Sequence, residues 1–191
     1  MSAVSLTNIG MEIQPAQADM FTSLARLLKE RHGSRLHLYV RGRVEEDAYR
    51  KSNASGLWES VTNGSVHVPA IQEEGLDEEE VIVRVRRMEE LVGEPINRLA
   101  LPNRQMGHAF AAGAWRHPVA PFVARATNTQ LLHALAESVA FWEREIREKK
   151  LDLVMDGSKF MAATACALGV PYRRLTLARF ETYCYWAVNE Y

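Results

Sequence analysis

Apolar positions along this chain recur with two spacings, and the change from one to the other marks out its elements. Met20, Phe21, Leu24, Leu27 and Leu28 fall at helical spacing after Asp19, which is placed to cap them. Lys29 and Arg31 suit the negative pole of that helix, and Gly33 terminates it. Short apolar stretches at Val4 to Ile13 and Leu36 to Val40 flank the helix and read as strands. Glu45 to Lys51 reads as helix, and Asn53 to Pro69 as loop with a short strand at Val66 to Val68. Val81, Val85, Met88 and Val92 share one helical face. The acidic run Glu73 to Glu80 ahead of them, with Arg84, Arg86 and Arg87 behind, follows the order a helix dipole prefers. Residues 81–85 also alternate like a strand, but the acidic start and the Gly93 stop favour helix.

The clearest helix is Asn128 to Lys150, where Leu132, Leu135, Val139, Trp142 and Ile146 repeat every three or four residues. It leads into an apolar strand from Leu151. Gly157, Ser158 and Lys159 then turn the chain into a helix of small residues, which Gly169 and Pro171 stop. Tyr172 to Leu177 is a second strand. A strand, crossover helix and strand of these lengths predict an α/β fold with a mostly parallel sheet and a right-handed crossover. Ligands of such sheets gather at the carboxyl ends of the strands, so the Gly157 turn is the first place to look for function.

Composition narrows the class. At 191 residues and 21.6 kDa, with 47% hydrophobic and 25% charged residues, the chain suits a single domain spanning residues 1–191. Its 23 basic and 24 acidic side chains leave a net charge of -1, so no global field points to nucleic acid. Cys166 and Cys184 are too few for a disulfide framework, and Cys166, on an alanine-rich helix, reads as a buried thiol in a reducing cytoplasm. There is no basic leader with an apolar core, and no apolar run long enough to span a bilayer.

Three stretches carry candidate chemistry. Arg41-Gly42-Arg43, at a strand's carboxyl end, either holds an anion or forms a solvated loop, with the loop favoured. Leu99 to Pro118 places Arg104 and His108 four apart on one helical face and ends in Arg116 and His117. It is a cationic wall toward an anionic ligand, or a close-packed helix with polar margins. His108 and His117 lack the spacing of a zinc site, so no metal is expected. Gly157, Ser158 and Lys159 offer backbone N–H groups and a cation to a phosphate or sugar acid, or else make a plain structural turn. No G-x-G-x-x-G or P-loop pattern is present, which disfavours NAD or ATP, and no G-x-S-x-G elbow supports Ser158 as a nucleophile.

Several short motifs occur in a telling order: Asn97-Arg98-Leu99, Asn103 to Phe110, Trp115-Arg116-His117-Pro118, Phe141-Trp142-Glu143, Leu151 to Asp156, Gly169 to Tyr172, and Arg179-Phe180 with Tyr185-Trp186. From Asn97 to Tyr191 the chain resembles the N-terminal part of bacterial surface or capsular polysaccharide biosynthesis proteins of GT-B glycosyltransferase type. The resemblance implies a Rossmann-like three-layer α/β/α domain, one half of a GT-B-like architecture, continued by a C-terminal domain. This acceptor-side half would take a saccharide or lipid-linked saccharide and hold no cofactor, while the missing half would bind a nucleotide sugar. Such a protein would work in the cytoplasm or at the inner face of the inner membrane. The implied contacts are Arg104, His108, Arg116, His117, Gly157, Ser158, Lys159 and Arg179, with His108, His117 or Asp156 as candidate general base. The alternative is a non-catalytic sugar-phosphate-binding or assembly domain that dimerises through the aromatic stretch from Arg179 to Tyr191.

Overall fold

The computed structural model describes residues 6–100, 126–177 and 184–188. The chain divides into two compact units, Met1–Ser65 with Glu143–Tyr191, and Val66–Trp142.

The first unit is built on a six-stranded sheet. Its strands are β1 (Asn8–Glu12), β2 (Arg35–Val40), β3 (Ser60–Asn63), β4 (Leu153–Met155), β5 (Tyr172–Leu177) and β6 (Cys184–Ala187), in the order β3-β2-β1-β4-β5-β6. The first five run parallel and β6 runs antiparallel to β5, so the fold is α/β with a mostly parallel sheet. β1 and β2 are buried along almost their whole length, as parallel strands covered on both faces should be. On one face Ile9, Met11, Leu36, Leu38, Val40 and Met155 form a core with Phe21 and Ala25 of helix α1 (Ala18–His32). The other face is polar in places. Gly10 lies there, and a Cβ on it would stand 2.9 Å from Leu151 Cδ1 and 3.3 Å from Tyr39 Cε2.

The order in which the chain adds strands reverses at β1. β1 continues through α1 to β2 on one side. β4 continues through a short helix to β5 on the other, so the carboxyl ends of β1 and β4 flank a topological switch point. The helices of this unit are α1, α2 (Arg43–Ser52), the end of α6 (Asn128–Glu148) and α7 (Lys159–Ala167).

The second unit carries α3 (His67–Ala70), α4 (Glu78–Val92), α5 (Ile96–Ala100) and the first part of α6. Asp77 caps α4 by accepting the N–H groups of Glu79 and Glu80 at 2.8 and 3.1 Å. Val81, Val85 and Met88 are buried along one stripe, so the strand-like alternation at 81–85 is overridden by the helical one. Among the described residues no helix is long and apolar enough to cross a membrane.

Several expectations need correction. Val66 to Val68 is not a strand: Asn63 accepts the Ser65 N–H in a turn, and His67 begins α3. The strand of this region is Ser60–Asn63, in which only Val61 is buried, too polar to stand out by hydropathy. Asp19 lies in the first turn of α1, whose N-cap is Gln17. Met20 and Leu27 are 42% and 46% exposed, since they sit roughly 100–160° round the helix from the buried stripe of Phe21 and Ala25. Cys166 is exposed, because Met161, Thr164 and Ala165 form the buried face of α7 and Cys166 lies beyond it.

Candidate functional site at the carboxyl edge of the sheet

Glu12 ends β1 on the face that carries Gly10. Its side chain is 6% exposed and both oxygens are held. Oε1 accepts the Arg41 Nε–H at 2.7 Å, and Oε2 accepts the backbone N–H of Ser158 at 3.0 Å. Arg41, just past β2, is fixed through its own backbone: its N–H donates to Glu45 Oε2 and its carbonyl accepts from Ser65 Oγ. It is thus an exposed loop residue, as favoured from sequence, but the anion its Nε holds belongs to the chain.

Asp156 follows β4, with its N–H still in the ladder to Arg173 O at 2.7 Å. Its φ is 54°, and Gly157 follows at φ 109°. A Cβ at Gly157 would stand 2.6 Å from Met161 Sδ and 3.1 Å from Glu12 Oε2, so glycine is required for space as well as for backbone. Ser158 then caps α7, its Oγ accepting the Met161 N–H at 3.2 Å. Lys159 opens the helix and is half-buried.

The Asp156 carboxyl is 1% exposed. Arg174 Nε of β5 stands 3.9 Å from Oδ1, while Oδ2 is buried with no hydrogen-bond partner among the described residues. Burial raises its pKa to about 6, and Glu12 pushes the same way. Arg174, Arg41 and the Gly157 amide pull against them. Near neutral pH this carboxyl is therefore mostly ionised, sealed, and half-satisfied.

A second polar cluster lies on the β2–β3 side. His37 Nδ1 is 3.0 Å from Ser60 Oγ, and its buried Nε2 has no hydrogen-bond partner among the described residues. Burial above all, with Lys149 next, lowers the His37 pKa to about 4, so the ring is neutral. Tyr39 donates its hydroxyl proton to Glu145 Oε2 at 3.1 Å. Lys149 pairs with Glu145 and donates to Tyr39 Oη and Thr62 Oγ1 at 3.3 and 3.2 Å. A cavity of about 490 Å³ opens beside this network, lined among others by Arg50, Ser60, Thr62 and Lys149. In the second unit, His133 Nε2 meets Glu73 Oε2 at 3.0 Å and Arg84 meets Glu137 at 2.8 Å around a cavity of about 550 Å³. Among the described residues no group of three or more His, Cys, Asp or Glu side chains is arranged to hold a metal ion.

Of the residues expected from sequence, Gly157, Ser158 and Lys159 stand together at the carboxyl edge, with Asp156 beside them. Arg104, His108, Arg116, His117 and Arg179 lie outside the described residues. The amide expected to meet a ligand at Ser158 is taken by Glu12. Glu12 and Arg174 are the members that sequence reasoning missed. The available signal was a charge inside an otherwise strand-like run, in Ile-Gly-Met-Glu-Ile and in Tyr-Arg-Arg-Leu-Thr-Leu. Comparison of the chain with protein-family models, curated proteins and solved structures finds no match to any of them.

Proposed function

We propose that the crevice outside β1 and β4 binds the saccharide acceptor of a glycosyltransferase-like protein of bacterial surface polysaccharide biosynthesis. In this reading the sheet is one Rossmann-like half of a GT-B-like architecture, and a further C-terminal domain brings the nucleotide sugar. Asp156 takes the proton from the attacking acceptor hydroxyl. The observation that carries the reading is the buried carboxyl of Asp156, with one oxygen lacking a donor, at the strand-order reversal. A hydroxyl is the group that supplies the missing donor, and a carboxyl poised near pKa 6 accepts its proton close to neutral pH. Because Asp156 is 1% exposed, the acceptor reaches it only after neighbouring side chains part.

The test is sugar transfer by the protein joined to its donor half. Asp156→Asn should lower kcat by about a hundredfold or more while the acceptor KM changes little. A folded variant with unchanged kcat would refute the base. One observation favours the non-catalytic alternative: β6 lies at the sheet edge and exposes Tyr185 and Trp186, 54% and 45% accessible, as an assembly surface would.

A further inference from the structure

Glu12 is held as a bound ligand's carboxylate would be held. One oxygen takes a backbone N–H at the start of a nine-residue helix and the other takes a guanidinium. Arg41 uses only Nε for this, and among the described residues its terminal nitrogens carry no hydrogen bond, although the side chain is 45% exposed. Gly157, at the cost of a left-handed backbone, lets Met161 and Glu12 close directly onto the turn, where a Cβ would stand 3.1 Å from Glu12 Oε2. Independently, the Oδ2 of Asp156, on a side chain 99% buried, lacks the donor it needs.

The charges also limit what can enter. Glu12 already occupies the Arg41 Nε–H and the Ser158 amide, so a further anion would compete with it for the same two donors. An anion in place of Glu12 takes both donors.

We infer that Glu12 is a resident plug in a carboxylate site, and that a sugar acid enters by displacing it from the Ser158 amide and Arg41 while a ring hydroxyl donates to Asp156. This rests on the crevice being the ligand site and adds the ligand's class and its gate. A planar carboxylate, matching the side chain it replaces, is the favoured group.

The experiment is titration of the chain with glucuronate, followed by amide NMR and calorimetry, with glucose and inorganic phosphate as comparators. Wild type should bind glucuronate weakly. Glu12→Ala should bind it at least tenfold tighter, with the Ser158 amide among the shifted signals. Adding Arg41→Ala should abolish that gain. Glu12→Gln keeps the volume and removes the charge, so it carries the same expectation if the alanine variant does not fold. A folded Glu12 variant that binds no tighter than wild type overturns the plug, yet leaves the acceptor reading standing if wild type binds glucuronate or glucose in the crevice. Tighter binding of phosphate than of glucuronate overturns the carboxylate class. Absence of any saccharide response in every variant overturns the acceptor reading as well.

Discussion

The two buried polar clusters of the sheet unit solve the same problem in opposite ways. On the β2–β3 side, burial drives His37 to its neutral form, and the charges that remain, Glu145 and Lys149, pair with each other and with Tyr39 and Thr62. At the β1–β4 edge, burial raises Asp156 only to about 6, so its carboxylate persists at neutral pH with an oxygen unmatched. A buried network with its charges paired fixes a fold. A buried charge left half-paired is an uncompensated cost, and such costs persist where a ligand or proton transfer uses them. The contrast is why the β1–β4 edge, and not either of the two cavities, is the candidate site.

The largest expected effect breaks the side whose charges are paired. Lys149→Met would leave Glu145 buried without its cation and should destabilise the protein by about 3 kcal/mol in urea unfolding, since removing one partner strands the other. Next comes the unsatisfied side. Asp156→Asn removes a charge that burial disfavours and should stabilise the protein at pH 7 by about 2 kcal/mol. A loss of stability there would mean that the carboxylate is better matched than its geometry indicates.

The pH dependence of stability sharpens the same contrast. Asp156 has a raised folded pKa, so its contribution is present below its unfolded value of 3.8 and is lost as pH rises through about 6. His37 has a lowered folded pKa, so its contribution is present above its unfolded value of 6.5 and is lost as pH falls toward about 4. Between about pH 4 and 6 the two slopes oppose each other and largely cancel. Asp156→Asn should therefore leave a stability that rises with pH across this window relative to wild type, and His37→Gln one that falls. Denaturant midpoints measured at intervals across the window check both signs. The smallest effect is Ser60→Ala, which deprives His37 Nδ1 of its partner and should cost about 1 kcal/mol.

Much of the scaffold was legible and much of the site was not, for one physical reason. Periodicity is a local signal, so Tyr172–Leu177, the stripe through α4 and the α6 helix could be read directly from residue spacing. The Gly157-Ser158 turn was legible because a glycine and a capping hydroxyl ahead of an apolar run announce a helix start. What Ser158 contacts was not, because Glu12 is 146 residues away in sequence, and Arg41 reaches Glu12 across 29. Only the sheet's pairing order brings these groups together. β3 was missed for a different reason: an edge strand with one buried side chain has almost no hydropathy signal.

The corner formed by Asp156 and Gly157 also limits what evolution or an engineer can place there. At φ 54°, Asp and Asn are the residues with a Cβ that enter the left-handed region most easily. An amide at this position preserves the bend and discards the acid, whereas valine or isoleucine would disturb both at once. A related chain bearing asparagine here would be a correctly shaped shell without the carboxylate proposed to accept the proton, a built-in control for separating architecture from chemistry.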